Sequence, residues 1–290
     1  MSSPQFDASG PPAVEEEVLD RVRERAYFVR AETVRLISIA KTGHYSSTFS
    51  CAEILAALYY DTLRLFPGEP RHPDRDRFLM GKGHAAVGVY PILADLGYLD
   101  REVLDGYTRL GNPLGDHPDM TKVPGVDFSS GSLGHNLSVG LGMALGAKMT
   151  GRQFLTWVLL GDGEQLEGQI WEAAAAAGHY GTSNLVAVVD RNGYCLDGKV
   201  DDVITVEPLP DRWKAFGWDV IEVDGHDVAA VTSTFRALRD DTSRTKPAVV
   251  IAHTVKGKGV GFMERDFGWH LGWLAPEDEA AVHRELEETR

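Results

Sequence analysis

Cysteine is scarce: Cys51 and Cys195 are the two in 290 residues. Neither stands at metal-ligand spacing, so a disulfide scaffold and a zinc ribbon are excluded and a reducing, cytoplasmic setting is expected. Basic side chains are few against acidic ones. The 29 Lys and Arg face 43 Asp and Glu, a formal charge of −14, which argues against nucleic acid or an anionic membrane as the main partner. No uninterrupted apolar run approaches the roughly eighteen residues of a membrane span. Met1-Ser2-Ser3-Pro4 starts neither a basic nor an apolar targeting segment. Internal repeats and a second compositional regime are missing too. Apolar residues nevertheless make up 43% of the chain, enough for a sizeable core.

Residues 1–13, rich in Ser, Pro and Gly, read as a flexible lead, and 14–290 as one domain. From Val14 the pattern turns helical, with Glu15-Glu16-Glu17 early and Arg21, Arg23 and Arg25 after them, in keeping with the helix dipole. A second helix is expected through Ala52–Leu58. Then strand and helix alternate. Phe154–Leu160 is a near-continuous apolar run ending at Gly161, the mark of a buried parallel strand. The Ala-rich stretch Gln169–His179 is a helix by propensity. Further strands are expected at Leu185–Val189, Val220–Val223 and Ala248–Thr254, and a charged helix at Pro276–Arg290. Strands separated by helices imply right-handed crossovers, hence an α/β fold with a parallel β-sheet flanked by helices.

Two turns stand out: Gly161-Asp162-Gly163 and Asp190-Arg191-Asn192-Gly193. Both fall at carboxyl ends of strands, where open parallel sheets bind ligands. If those strands are neighbours, Asp162 and Asn192 meet. A carboxylate plus an amide oxygen is a hard donor pair, suited to magnesium, with calcium or manganese able to take its place. Glycines beside Asp162 permit close approach of a phosphate, and the helix that follows offers free amides. A lone Gly-Asp-Gly is usually only a turn. A dinucleotide fingerprint fails on spacing, because Leu166 occupies the third glycine position.

The run Gly161-Asp162-Gly163-Glu164-Gln165-Leu166-Glu167-Gly168, with Glu172-Ala173-Ala174 and Asn192-Gly193, resembles the thiamine diphosphate signature in its transketolase version. Other motifs follow the same family's order: Gly43-His44 with Ser47, Gly81-Lys82-Gly83-His84-Ala85, Asp116-His117-Pro118, Gly131-Ser132-Leu133-Gly134, Asp224-Gly225-His226, and Lys256-Gly257-Lys258-Gly259 with Trp269-His270. The resemblance spans about residues 14–275. It implies a thiamine diphosphate-binding fold in which Asp162, Asn192 and the carbonyl of Tyr194 hold the metal. It also implies diphosphate contacts from Gly161, Gly163, His84 and Lys256, and aminopyrimidine support from Gly131 and Leu133. Glu167 matches a carboxylate near a partner interface. His44, His117 and His270 match histidines that face substrate, and His84 joins them in the catalytic set. Lys82 and Lys256, next to glycines, could simply be exposed, and Lys256 ranks ahead of Lys82 because it ends a buried strand at the ligand edge. His179, His226, His253 and His283 are expected to be structural or surface residues.

The resemblance further implies transfer of a two-carbon ketol unit from a ketose or its phosphate to an aldehyde acceptor. Full-length members carry a pyrimidine-binding domain whose glutamate activates the cofactor, and no candidate for it occurs here. The expectation is therefore the N-terminal subunit of a two-chain enzyme, active only with a C-terminal transketolase-like subunit, as an α2β2 heterotetramer. Rival expectations are a decarboxylating relative, of the 1-deoxyxylulose-5-phosphate synthase or 2-oxo acid dehydrogenase kind, and a catalytically silent scaffold. The Gly134-His135-Asn136 and Trp269-His270-Leu271 segments depart from the usual pattern and hint at an unusual acceptor.

Overall fold

A computed structural model describes residues 13–289, so the expected lead at residues 1–13 falls almost wholly outside them. The helices are α1 (Glu16–Ala40), α2 (Tyr45–Phe49), α3 (Ala52–Ala57), α4 (Val89–Asp95), α5 (His135–Met149), α6 (Gly168–His179), α7 (Val200–Val203), α8 (Leu209–Ala215), α9 (Val228–Asp240) and α10 (Pro276–Glu288). The strands are β1 (Arg77–Met80), β2 (Thr156–Gly161), β3 (Leu185–Arg191), β4 (Asp219–Asp224) and β5 (Ala248–His253). They form one sheet in the order β1-β2-β3-β5-β4. Every pairing is parallel.

Successive side chains leave a strand on opposite faces, and here each face buries its own core. Phe78, Met80, Trp157, Leu159, Val186, Val188, Val250 and Ala252 point to the layer made by α1, α3, α9 and α10. Leu79, Val158, Leu160, Ala187, Val189, Val249 and Ile251 point to α5, α6 and α8. Both faces are covered, which is why the central strands read as unbroken apolar runs. The crossover through α6 carries the chain from β2 to β3, and α9, on the opposite face, returns it from edge strand β4 to β5.

Four strands lie where the sequence places them. The fifth, β1, is short, and Arg77 at its start conceals it: the guanidinium lies over the ring of Phe154, 4.5 Å from its centroid, and masks an apolar edge. No helix among the described residues is long and apolar enough to cross a membrane. Both cysteines are free thiols.

Candidate active site at the carboxyl edge of the sheet

The register pairs Gly161 with Asp190, so the turns after β2 and β3 stand side by side. Asp162 caps the short turn Gly163–Leu166. One carboxylate oxygen accepts the Gly163 amide at 2.8 Å, and the other accepts the amide of Gly193 in the next loop. Asn192 is buried beside it, its Oδ1 accepting the amide of Tyr194 at 3.1 Å. Asp162 is 3% exposed, not at a solvent-facing edge. Burial, then the charge of Asp190, pushes its pKa up to about 7. The aspartate and the asparagine amide offer hard oxygen donors of the kind magnesium takes. Among the described residues no group of three His, Cys, Asp or Glu is placed to hold a metal without such neutral oxygens.

Lys82 corrects an expectation. It is 3% exposed, and its ammonium lies against Asp190 and the carbonyl of Ser47. Burial alone would depress its pKa, and Asp190 outweighs that to raise it. Asp190 also accepts from Ser50 at 2.6 Å and from Thr254. This cluster engages the lysine directly, and at Asp162 its charge only partly offsets burial and the neighbouring Asp190. Gly163 is explained by packing: a Cβ there would sit 2.9 Å from that of Cys195.

Three histidines from distant segments close the cavity. The rings of His44 at the start of α2, His84 after β1 and His270 lie 4.8, 5.1 and 5.3 Å apart between centroids. Burial, then its histidine neighbours, holds His84 well below the usual range. Burial, then Lys256, pushes His270 down to about 3. Lys256, 1% exposed, approaches Nδ1 of His270 at 2.9 Å. Burial, then Lys82, lowers its own pKa to about 8. His117 is half-exposed. Asp116 lies between it and His44, its oxygens 3.6 and 3.4 Å from their Nδ1 atoms, and accepts the Tyr107 hydroxyl at 3.2 Å. Burial raises the Asp116 carboxyl, but the His44 contact and the two imidazoles hold it below the ordinary range.

A cavity of about 420 Å³ is lined by His44, His84, His117, His270, Gly131, Leu133, Gly161, Asp162, Gly163, Glu167, Asn192, Tyr194 and Lys256. The structure thus gathers every residue given a metal, cofactor or substrate-facing role from the sequence. Glu167 is exposed at the rim. A carboxylate the sequence reading passed over is Glu164, 2% exposed, which accepts the amides of Gly134 at 2.8 Å and Gly161 at 3.0 Å. It ties the 131–134 loop to the end of β2. Among Asp162, Glu164, Gln165 and Glu167 in one short turn, no sequence signal set it apart. A larger cavity, about 720 Å³, lies between residues 69–75 and 120–127 and contains none of these groups.

The family model described as "Transketolase, thiamine diphosphate binding domain" matches residues 22–287. The chain is 43% identical to an apulose-4-phosphate transketolase subunit of Phocaeicola vulgatus, over 89% of this chain and 91% of that one. It is 37% identical to the 6-deoxy-6-sulfo-D-fructose transketolase subunit SqwG of a Clostridium species, over 92% and 96%. Among solved structures, transketolase from Leishmania mexicana superposes with a TM-score of 0.85 at 26% identity, and that from Campylobacter jejuni with 0.85 at 27%. The match covers 92% and 95% of this chain but only 41% and 43% of those enzymes, so the chain spans about two fifths of their length. With its parallel sheet and the cavity at its carboxyl edge, this chain belongs to the transketolase family and carries that family's thiamine diphosphate-binding domain.

Proposed function

We propose that the chain is the N-terminal subunit of a two-chain transketolase that moves a two-carbon ketol unit from a ketose donor to an aldehyde acceptor. The observation that carries this is the convergence of His44, His84, His270 and Lys256 with Asp162 and Asn192 in one cavity. Relatives whose own names call them a transketolase subunit match this chain over almost their whole length.

In this reading Asp162, Asn192 and the Tyr194 carbonyl hold magnesium, and Lys256, His84 and the Gly161–Gly163 turn face the diphosphate. Thiamine diphosphate, when bound, supplies the stabilised carbanion that ketol transfer needs. The chain's own share is proton handling. His270 accepts from Lys256 through Nδ1, which leaves its proton on Nε2. His44 and His117, each beside Asp116, pass protons to and from substrate hydroxyls. Leu196, Val203, Phe267, Leu271 and Trp273 are exposed on segments that bound or neighbour the cavity. Apolar side chains so placed favour a partner subunit docking over the mouth and completing the site, in an α2β2 assembly.

The test is co-expression with a chain resembling the C-terminal half of transketolase. Ketol transfer from a ketose to an aldehyde is expected in the pair and absent from either chain alone. Robust turnover by the isolated chain would sink the two-chain reading, and condensation of pyruvate without ketose cleavage would sink ketol transfer.

A further inference from the structure

The segment that delivers Lys256 is held from behind. His226, in the turn between β4 and α9, accepts the Val255 amide on Nε2 at 2.8 Å. A backbone amide has one proton and only donates, so Nε2 carries none and the ring proton sits on Nδ1. That nitrogen faces Glu53 at 3.1 Å. The same Glu53 oxygen accepts from Arg30 at 2.7 Å, and this guanidinium also donates to the Phe49 carbonyl at 2.8 Å. Arg30 and Glu53 are each 7% exposed, so the pair lies in a medium where hydrogen bonds are strong and directional.

The other side of Lys256 is fixed as well. The Gly257 amide donates to the Ser46 carbonyl at 3.1 Å, and Gly257 turns with φ +78 where a Cβ would meet the Met263 carbonyl at 2.2 Å. Thr254 donates its amide to Arg191 at 3.2 Å. The lysine thus sits between two backbone amides, one anchored on α2 and one on an imidazole clamped by an ion pair between α1 and α3.

We propose that His226 is a positioning residue for Lys256: through the Val255 amide, the Arg30–Glu53 pair sets where the Lys256 ammonium meets an anionic cofactor group. This rests on the reading of Lys256 as a diphosphate contact and adds its control from outside the cavity.

The experiment titrates the full chain with magnesium and thiamine diphosphate, followed by NMR, which reads weak binding. The variants are His226→Phe, His226→Gln, Lys256→Ala and the Phe–Ala double variant. A cavity of about 350 Å³ beside His226 and Arg30 gives the phenyl ring room. His226→Phe should weaken binding about tenfold, as loss of an orienting partner behind a ligand does. His226→Gln, whose amide offers one acceptor to Val255 and one donor to Glu53, should restore most of it. In the double variant the losses should not add, because both act through one ammonium. The parent's His226 should show the neutral Nδ1-protonated tautomer in ¹⁵N spectra, a readout that survives if a variant fails to fold. Additive losses, Gln binding as poorly as Phe at equal unfolding midpoint, or an Nε2-protonated ring would each overturn the relay while leaving Lys256 its role. Lys256→Ala binding like the parent would overturn that role and the relay together.

Discussion

Lys256 and His270 meet nitrogen to nitrogen, 2.9 Å apart, and the contact fixes which of them bears charge. An ammonium can only donate, so the imidazole must be neutral to accept. Burial and Lys256 together push His270 down to about 3 from 6.5. The folded chain therefore refuses a proton that the unfolded chain takes up below pH 6.5. The stability this group allows is complete above that pH and is lost as pH falls toward 3. Buried His84 acts in the same sense. Urea midpoints should fall steadily on acidification, and His270→Gln should flatten part of the slope. An unchanged slope in that variant would assign the acid sensitivity elsewhere.

Asp162 separates binding from folding. Asp162→Asn keeps one acceptor oxygen, loses the charge and sets an NH2 against one of the two loop amides, so the unfolding midpoint should fall, but by less than in Asp162→Ala. Affinity for magnesium thiamine diphosphate should drop tenfold or more, each factor of ten being about 1.4 kcal/mol. Asp162→Ala also strips the acceptor from the Gly163 and Gly193 amides and should cost about 1–3 kcal/mol of stability. Calorimetry and denaturant titration on the two variants read these separately. Parent-like affinity in Asp162→Asn would end the metal assignment.

Lys82 carries the opposite expectation, a large folding effect. The Lys82 and Asp190 side chains are both buried, so removing either strands a buried charge. Lys82→Met should destabilise by about 3–5 kcal/mol, and Lys82→Met with Asp190→Leu by clearly less than the sum. Additive losses in urea unfolding would show that the two charges act apart.

The histidines divide by partner. In the assembled enzyme, His44→Ala and His117→Ala should lower kcat by about 10²–10⁴, with the apparent cofactor constant little changed. His84→Ala should raise that constant first. The opposite pattern, measured by steady-state kinetics at several cofactor concentrations, would exchange their roles.

Much of this was legible from residues alone. Periodicity located β2, β3 and β5 because both of their faces are buried, and the two turns after β2 and β3 pointed to the site. Strand β1 stayed hidden because four residues beginning with arginine carry almost no periodic signal. The burial of Lys82 was hidden for a related reason: its partner Asp190 lies far away in sequence, and only the sheet order brings them together. Glu164 was read past in favour of Glu167, since sequence does not tell which side of a short turn faces inward. His226 was expected to be a structural or surface residue, and no local pattern reveals that its acceptor nitrogen serves the residue before Lys256.

The register of β3 has a consequence for how the molecule forms. Lys82, Asp190 and Thr254 continue the alternation of β1, β3 and β5 on the same face as Met80, Val188 and Ala252. A one-residue slip of β3 would turn Asp190 toward α6 and α8, an apolar layer with no lysine to receive it. The slip would also carry Asn192 away from Asp162. Mispaired sheets are thus penalised by a bare carboxylate, and only the pairing that neutralises it aligns the two cofactor turns. Correct strand pairing and assembly of the binding edge are one event.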